Sequence, residues 1–382
     1  MKFTVNRDRV HHAVMSVQRA TAARVIQPIL SNILIQSTPE GTLKLSATDL
    51  DFAIETQVPT TGIEQDGRIT LSAKKLSEII SKLPGGSDVT FTIDEAVQTA
   101  KIECGSASFD IRTLPADEFP LIQQIDTENY LEVDHIAMVR AITQTVFAAA
   151  GYDANNVLGG VYFHLTASSL EMAATDGSRL ARRLDTVATG NVSEEVTAII
   201  PAKALQEFLK LGGASVEKSE NEDAKPDTVR IAIKDGQISF RTPAVYMMSR
   251  LLDGQYPKFQ QLIPAENKIV AYANRQALIS SLERAAVMAN ERTNVVKMSL
   301  DKGVMSLAAN TPDVGDSKDT MEVLYEGEPL SIAFNYKYVL DALRVIESDD
   351  VRMETNGALA PTLFKANDEN EYLSLVMPVQ VK

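Results

Sequence analysis

The chain runs to 382 residues, with 51 acidic against 37 basic side chains, a formal net charge of −14 and a single cysteine. That length allows two to four domains, because one core stops growing beyond about 250–300 residues. One cysteine excludes an internal disulfide framework and points to a reducing cytoplasm, and no apolar stretch approaches the roughly 20 residues a membrane span requires.

In chain order, "MKFTVNRDRV" alternates apolar and polar residues and predicts a first strand, with no apolar core like that of a signal peptide. A helical stretch opens at Asn6 and carries an apolar residue, Val14, on its inner face. "LKLSATD" (43–49) reads as a strand ending in a turn, and "ITLSAKKLSEIISKL" as a strand running into a helix. "DVTFTID" alternates with period two, as a half-buried antiparallel strand does. Cys104, two residues after Ile102, reads as a small buried hydrophobe rather than a nucleophile.

The same three signatures then recur in the same order. The helical start at Asn6 is matched by Asp134 in "DHIAMVRAI" and Asn274 in "NRQALISSL"; Ile142 and Leu282 stand where Val14 does. The strand-and-turn returns as "LEMAATD" (170–176) and, more loosely, "MSLAANTPD" (305–313). The strand-into-helix returns as "IIPAKALQEFLKL" and "IAFNYKYVLDALRVI", so that Leu76, Leu205 and Val339 correspond. "KDG" (234–236) and "DKG" (301–303) read as hairpin turns with glycine at positive φ. The acidic run "EKSENEDAKPD" (217–227) reads as a solvated loop. Proline-bearing links "LPADEFP" and "LDGQYPKF" divide the chain into domains at 1–125, 126–256 and 257–382. The fold class is α+β, three tandem homologous domains of two helices packed on antiparallel sheet.

Chemistry is hard to find. The four histidines stand without cysteine or carboxylate partners at metal-ligand spacing, so no metal is implied. No phosphate-cradling Gly-x-x-x-x-Gly-Lys loop and no Gly-x-Ser-x-Gly elbow occurs, and no cofactor is implied. Asp49 and Asp176 each follow Ala-Thr at a strand end, where their side chains can bond backbone amides two residues on. They read as turn residues, not as a catalytic pair. The helical segments, by contrast, carry a net excess of Lys and Arg within an acidic chain. That division of charge predicts a helix-lined surface that meets a polyanion.

At this point a resemblance appears. "PILSNILI" (28–35), "TDLD" (48–51), "RTLPADEFP" (112–120), "ATDGSRLA" (174–181), "DGQYPKFQQLIP" (253–264), "FNYKYVLDAL" (334–343) and the tail "VMPVQ" (376–380) resemble the β subunits of bacterial DNA polymerase III, the sliding clamps. The resemblance spans the whole chain. It implies half of a six-domain ring: a head-to-tail homodimer around duplex DNA that slides and confers processivity, with no catalytic site of its own. It carries sequence-independent DNA contacts onto Arg24, Lys74 and the loop before Leu158, where Tyr152, Asn155 and Asn156 stand and an Arg is absent. It carries the dimer contact onto Phe109 against Val287 and Met288.

It also implies a groove for short linear peptides of the replicative polymerase, the ATP-dependent clamp loader and repair proteins. The groove residues are Leu158, Thr175, Gly177, Ser178, Arg179, Leu180, Pro257, Leu262, Leu359, Pro361, Leu375, Met377, Pro378 and Val379. The tail departs from the family pattern with Gln380 where an Arg is common and with Lys382 beyond the usual end. Two rival readings stand beside the clamp: a clamp-like protein-binding scaffold that no longer encircles DNA, and a DNA-processing enzyme using Asp49 or Asp176.

Overall fold

The computed structural model describes residues 1–22, 27–125, 130–151, 156–186, 195–212, 228–367 and 371–380. The acidic run at 217–227 lies outside them. The chain forms two compact units, one from Met1–Val133 with Glu207–Leu251, the other from Asp134–Gln206 with Leu252–Lys382.

Six α-helices lie among the described residues: α1 (Arg7–Val17), α2 (Ala73–Lys82), α3 (His135–Thr145), α4 (Ala202–Gly212), α5 (Arg275–Ala286) and α6 (Tyr336–Arg344). The three helical starts expected from the sequence are N-caps. The Asn6 side chain accepts from the amides of Asp8 and Arg9, Asp134 from Ala137, and Asn274 from Ala277. Each satisfies a donor that the first helical turn cannot pair internally. The corresponding apolar positions are core: Val14, Ile142 and Leu282 are buried, as are Leu76, Leu205 and Val339. Arg7 repeats the theme at the far end of a neighbouring helix, donating from Nε to the Ile80 carbonyl at 2.9 Å. Arg275 donates from Nε to the Ser348 carbonyl, in the loop after α6, at 2.9 Å. Cys104 is buried with its Sγ 3.1 Å from Ser87 Oγ.

The first unit is built on a 13-stranded sheet. Its middle pairs Val245–Arg250 with Phe52–Pro59, then Thr42–Thr48, Asn32–Ser37 and Arg68–Ser72, all antiparallel. Period-two burial sets the register: Val89, Phe91 and Ile93 point inward and their neighbours outward. The turn at "KDG" has Asp235 at φ 50° and Gly236 at φ 73°, both left-handed, as a two-residue hairpin requires. α1 packs on Thr42–Thr48 and Phe52–Pro59 and against α2.

The second unit holds an eight-stranded sheet and a four-stranded sheet. In the larger, Ser169–Thr175 pairs with Arg179–Thr186, which pairs with Tyr372–Val376, which pairs with Thr362–Ala366. The smaller runs Gly315–Glu322, Val304–Thr311, Val295–Asp301, Leu330–Asn335. α3 packs on Ser169–Thr175 and Arg179–Thr186, and α5 packs on Gly315–Glu322 and against α6.

Candidate functional site

The two Ala-Thr-Asp stretches fold into the same turn. In the first, Thr48 Oγ1 donates to the Phe52 carbonyl at 2.9 Å and accepts from the Leu50 amide at 3.0 Å. Asp49 Oδ1 accepts from the amides of Asp51 and Phe52 at 3.2 and 2.8 Å. In the second, Thr175 Oγ1 donates to the Arg179 carbonyl at 2.6 Å and accepts from the Gly177 amide at 3.1 Å. Asp176 Oδ1 accepts from Ser178 and Arg179 at 2.9 and 3.1 Å. Leu50 and Gly177 occupy one position, at φ 83° and 88°. Both carboxylates are consumed in holding a turn, which is the bland chemistry the sequence suggested.

Around the second turn the side chains named from the resemblance are drawn together by sheet register. Leu180 sits opposite Leu375 and Arg179 opposite Val376; Leu375 in turn faces Leu363. Leu180 and Leu375 share one buried cluster with Ala173, Ile199, Tyr256, Phe259 and Leu363, against which Leu158 packs half-buried. Thr175 is buried, whereas Gly177 and Ser178 are exposed and Arg179 is half-buried. Pro257 is exposed between Tyr256 and Phe259, and Pro361 leads into Thr362–Ala366. Leu262, Leu359 and Met377 stand out of the fold at 53, 65 and 39% exposure. Large apolar side chains so exposed are suited to an apolar ligand.

The tail is stitched in place. The Met377 amide donates to the Ser178 carbonyl at 2.9 Å and the Val379 amide to the Ala333 carbonyl at 2.7 Å, leaving Pro378 half-buried between them.

Two side chains brace this region. Tyr256 accepts from the Thr175 amide at 3.1 Å and donates to the Gly160 carbonyl at 3.4 Å. Burial pushes its hydroxyl up to about 12, with the Thr175 amide opposing. Arg179 reaches Asp176 Oδ2 through Nε at 3.0 Å, Asp341 Oδ2 at 2.6 Å and the Phe147 carbonyl at 2.7 Å. Its guanidinium also lies 4.4 Å from the centre of the Tyr338 ring. Gly160 is required by packing, since a Cβ there would stand 2.7 Å from Ile199 Cγ2 and 2.8 Å from Leu252 Cδ1.

Sequence reasoning missed Tyr256, Phe259, Leu363 and Ile199, which form much of the floor. Tyr256 and Phe259 fall inside the proline-bearing link "LDGQYPKF", three residues apart; two aromatic residues in so short a link were the available signal.

Of the residues expected at DNA, Lys74 is exposed on α2 and Asn156 is exposed, its Oδ1 accepting from the Leu158 amide at 2.9 Å. Arg24, Tyr152 and Asn155 lie outside the described residues. The helical cations are less available than their count suggested. Arg19 pairs with Glu207 at 3.3 Å, Arg140 with Glu347 at 3.5 Å, Arg284 with Asp319 at 2.6 Å and Arg344 with Glu283 at 2.8 Å. Arg7 is spent on carbonyls at the end of α2 and Arg275 on the Ser348 carbonyl of the loop after α6.

Phe109 is half-buried on Ala107–Leu114, alternating with exposed Ser108 and Asp110. Residues 107–112 of that strand pair on one side only among the described residues, with Thr99–Cys104; its other side meets Arg68–Ser72 only at Thr113 and Leu114. Val287 is 75% exposed and Met288 half-buried at the end of α5. The Met288 carbonyl accepts from Thr311 Oγ1 at 2.8 Å, near the start of the terminal strand Gly315–Glu322. Among the described residues no three His, Cys, Asp or Glu side chains are grouped to hold a metal ion, and no helix is long and apolar enough to cross a membrane.

Comparison with known proteins is consistent along the chain. Family models described as DNA polymerase III beta subunit match in order: the N-terminal domain at residues 1–123, the central domain at 132–258 and the C-terminal domain at 260–380. The chain is 33% identical to the beta sliding clamp of Bacillus subtilis and 32% identical to that of Synechococcus elongatus, covering 100% of each chain in both cases. It is also similar in structure to the sliding clamp of Bartonella birtlesii bound to griselimycin, with a TM-score of 0.91, 32% identity and 100% of both chains covered. The DNA polymerase III beta subunit of Pseudomonas aeruginosa gives a TM-score of 0.88 at 27% identity, again over 100% of both chains.

Proposed function

The chain belongs to the DNA polymerase III beta subunits, the beta sliding clamps, and from that premise we propose that two copies join head to tail into a closed ring of six domains around duplex DNA. The family's role is that of a non-catalytic processivity factor in DNA replication. The domain limits that follow are 1–125, 126–256 and 257–382.

The observation that carries the ring is a pair of open sheet edges. Among the described residues, 107–112 lack a partner on one side in the first unit, and Gly315–Glu322 ends its sheet in the second. An unpaired edge is a template for strand addition, and two unlike edges on one chain pair between copies as a heterologous contact that closes on itself. Phe109, with Val287 and Met288, supplies apolar side chains at those edges.

Retention then comes from enclosure, and contacts to DNA need only be weak and blind to sequence. Exposed Lys and Arg on flexible stems suit that task. Lys74 and Arg24 are assigned to phosphate contact, with Tyr152, Asn155 and Asn156 offering hydrogen bonds or stacking. Because many helical cations are already paired, direct affinity for linear DNA is expected to be low and salt-sensitive.

The apolar surface around Leu158, Leu180, Leu375 and Met377 is assigned to short linear peptides of the replicative polymerase, the clamp loader and repair proteins. Thr175, Gly177, Ser178 and Arg179 form its turn, Pro257, Leu262, Leu359 and Pro361 its rim, and Pro378 and Val379 its tail side. Methionine suits a surface that serves several partners, since its side chain adapts. The protein is assigned to the cytoplasm.

The test is loading onto closed circular DNA followed by linearisation. A ring is retained on the circle and lost from free ends; equal retention on both sinks the proposal in favour of a scaffold that merely binds. The same preparation should show a particle of about twice 41.7 kDa in solution.

A further inference from the structure

We propose that a cationic cavity on the sheet of the first unit binds an acidic peptide segment, holding its carboxylates between Arg230 and Arg241. The cavity measures about 580 Å³, within the range of ligand-sized sites.

Its base is a single row of side chains crossing five adjacent strands. Arg230 stands opposite Arg241, Arg241 opposite Tyr246, Tyr246 opposite Glu55, and Glu55 opposite Ser46. Two like charges directly opposite across a ladder oppose folding rather than assist it. Each guanidinium instead lies over a tyrosine ring, Arg230 at 4.4 Å from the centre of Tyr130 and Arg241 at 4.9 Å from that of Tyr246. Stacking fixes the planes and leaves their edges to donate.

Among the described residues a local carboxylate pairs with Arg230 alone of the two. Glu55 is buried and engaged by Lys44 Nζ at 3.3 Å, by Ser46 Oγ at 2.9 Å and by Gln124. Arg230 has Glu132 at 3.1 Å. Among the described residues no carboxylate pairs with Arg241, whose recorded partner is the Gln124 amide oxygen at 2.7 Å. A planar guanidinium held by stacking is suited to bidentate capture of a carboxylate.

The cavity opens on the sheet face away from α4. Phe208 of α4 packs on Phe240 at 5.2 Å between ring centres, and alternation turns the next residue, Arg241, to the other side. Thr56, Gln57, Thr228 and Thr242 line the walls with hydroxyl and amide groups that can meet a peptide backbone.

The test is calorimetric titration of the full-length protein at low salt with a blocked tetraglutamate peptide, using tetraglutamine and inorganic phosphate as separate arms. Tetraglutamate is expected to bind and tetraglutamine not, with Arg241→Gln and Arg230→Gln each weakening binding about tenfold or more. Arg241→Lys keeps the charge and loses the planar fork; it is expected to weaken binding as well, and it serves should Arg241→Gln fail to fold. Equal binding of the two peptides overturns the proposal, and so does unaltered affinity in the variants. Phosphate that binds through Arg241 where tetraglutamate does not would reassign the cavity to a free anion and overturn the peptide.

Discussion

Replacing Arg179 by alanine removes three charge-assisted contacts at once, and the geometry around it bounds the cost. Its side chain is 11% exposed, and its partners Asp176 and Asp341 are 15 and 35% exposed. Breaking a buried ion pair by deleting one partner costs about 3–5 kcal/mol, chiefly because the other charge is stranded. Here neither carboxylate is wholly stranded. Asp176 keeps the Ser178 and residue-179 amides, and Asp341 is a third exposed and regains water. The Phe147 carbonyl loses its donor, and the stacking on Tyr338 is lost. A net loss of about 2–3 kcal/mol follows, which in a unit of this size lowers Tm by roughly 4–12 °C. Arg179→Lys retains the charge but not the fork and should lie between the two. The assay is calorimetric melting at fixed protein concentration, because assembly makes Tm concentration-dependent. A melt of Arg179→Ala within about 1 °C of the parent refutes the reasoning, as does Arg179→Lys falling as far as the alanine.

Gly160→Ala should destabilise by about 1–3 kcal/mol through overpacking against Ile199 and Leu252, read by chemical denaturation. Phe109→Asp should leave a particle of 41.7 kDa by light scattering with its melting cooperative; an unaltered double mass would remove Phe109 from the dimer contact. Met377→Ala should weaken a bound partner peptide severalfold in a fluorescence titration while leaving Tm near that of the parent, because Met377 is exposed. Tyr256 is held protonated by burial, its hydroxyl raised from 10.0 to about 12. The unfolded chain therefore gives up that proton first, and stability falls as pH rises from about 10 to about 12, by about 3 kcal/mol. Tyr256→Phe should flatten that fall in urea titrations across the interval; an identical slope in both proteins would falsify the assignment.

Much of the fold was legible because its signals are local. Asn6, Asp134 and Asn274 cap helices through side chains two or three residues from their targets, and the alternation in "DVTFTID" is a property of one strand. The paired Ala-Thr-Asp turns were legible for the same reason. The joining of Val245–Arg250 to Phe52–Pro59 in one large sheet was not, since nearly two hundred residues separate the strands and alternation is the same for any partner. The availability of the helical cations was overestimated for a related reason: Glu207 for Arg19 and Glu347 for Arg140 are distant in sequence, and a count of charges along a helix cannot see them. The apolar surface proposed for partner peptides has its sequence signal in the turn and tail. Its floor has none, because Ile199 and Leu363 look like any buried strand residue.

The shared turn has a consequence for how duplicated copies diverge. Leu50 keeps a left-handed backbone at a cost of about 1–2 kcal/mol that glycine avoids, because the threonine and aspartate bonds dictate its shape. At that same point one copy raises an isobutyl group, 53% exposed, while a Cβ on Gly177 would meet nothing within 4 Å. The second turn therefore leaves its backbone uncovered at the point where the first carries a side chain. The two copies of one turn thus differ at their tip by the presence or absence of a side chain.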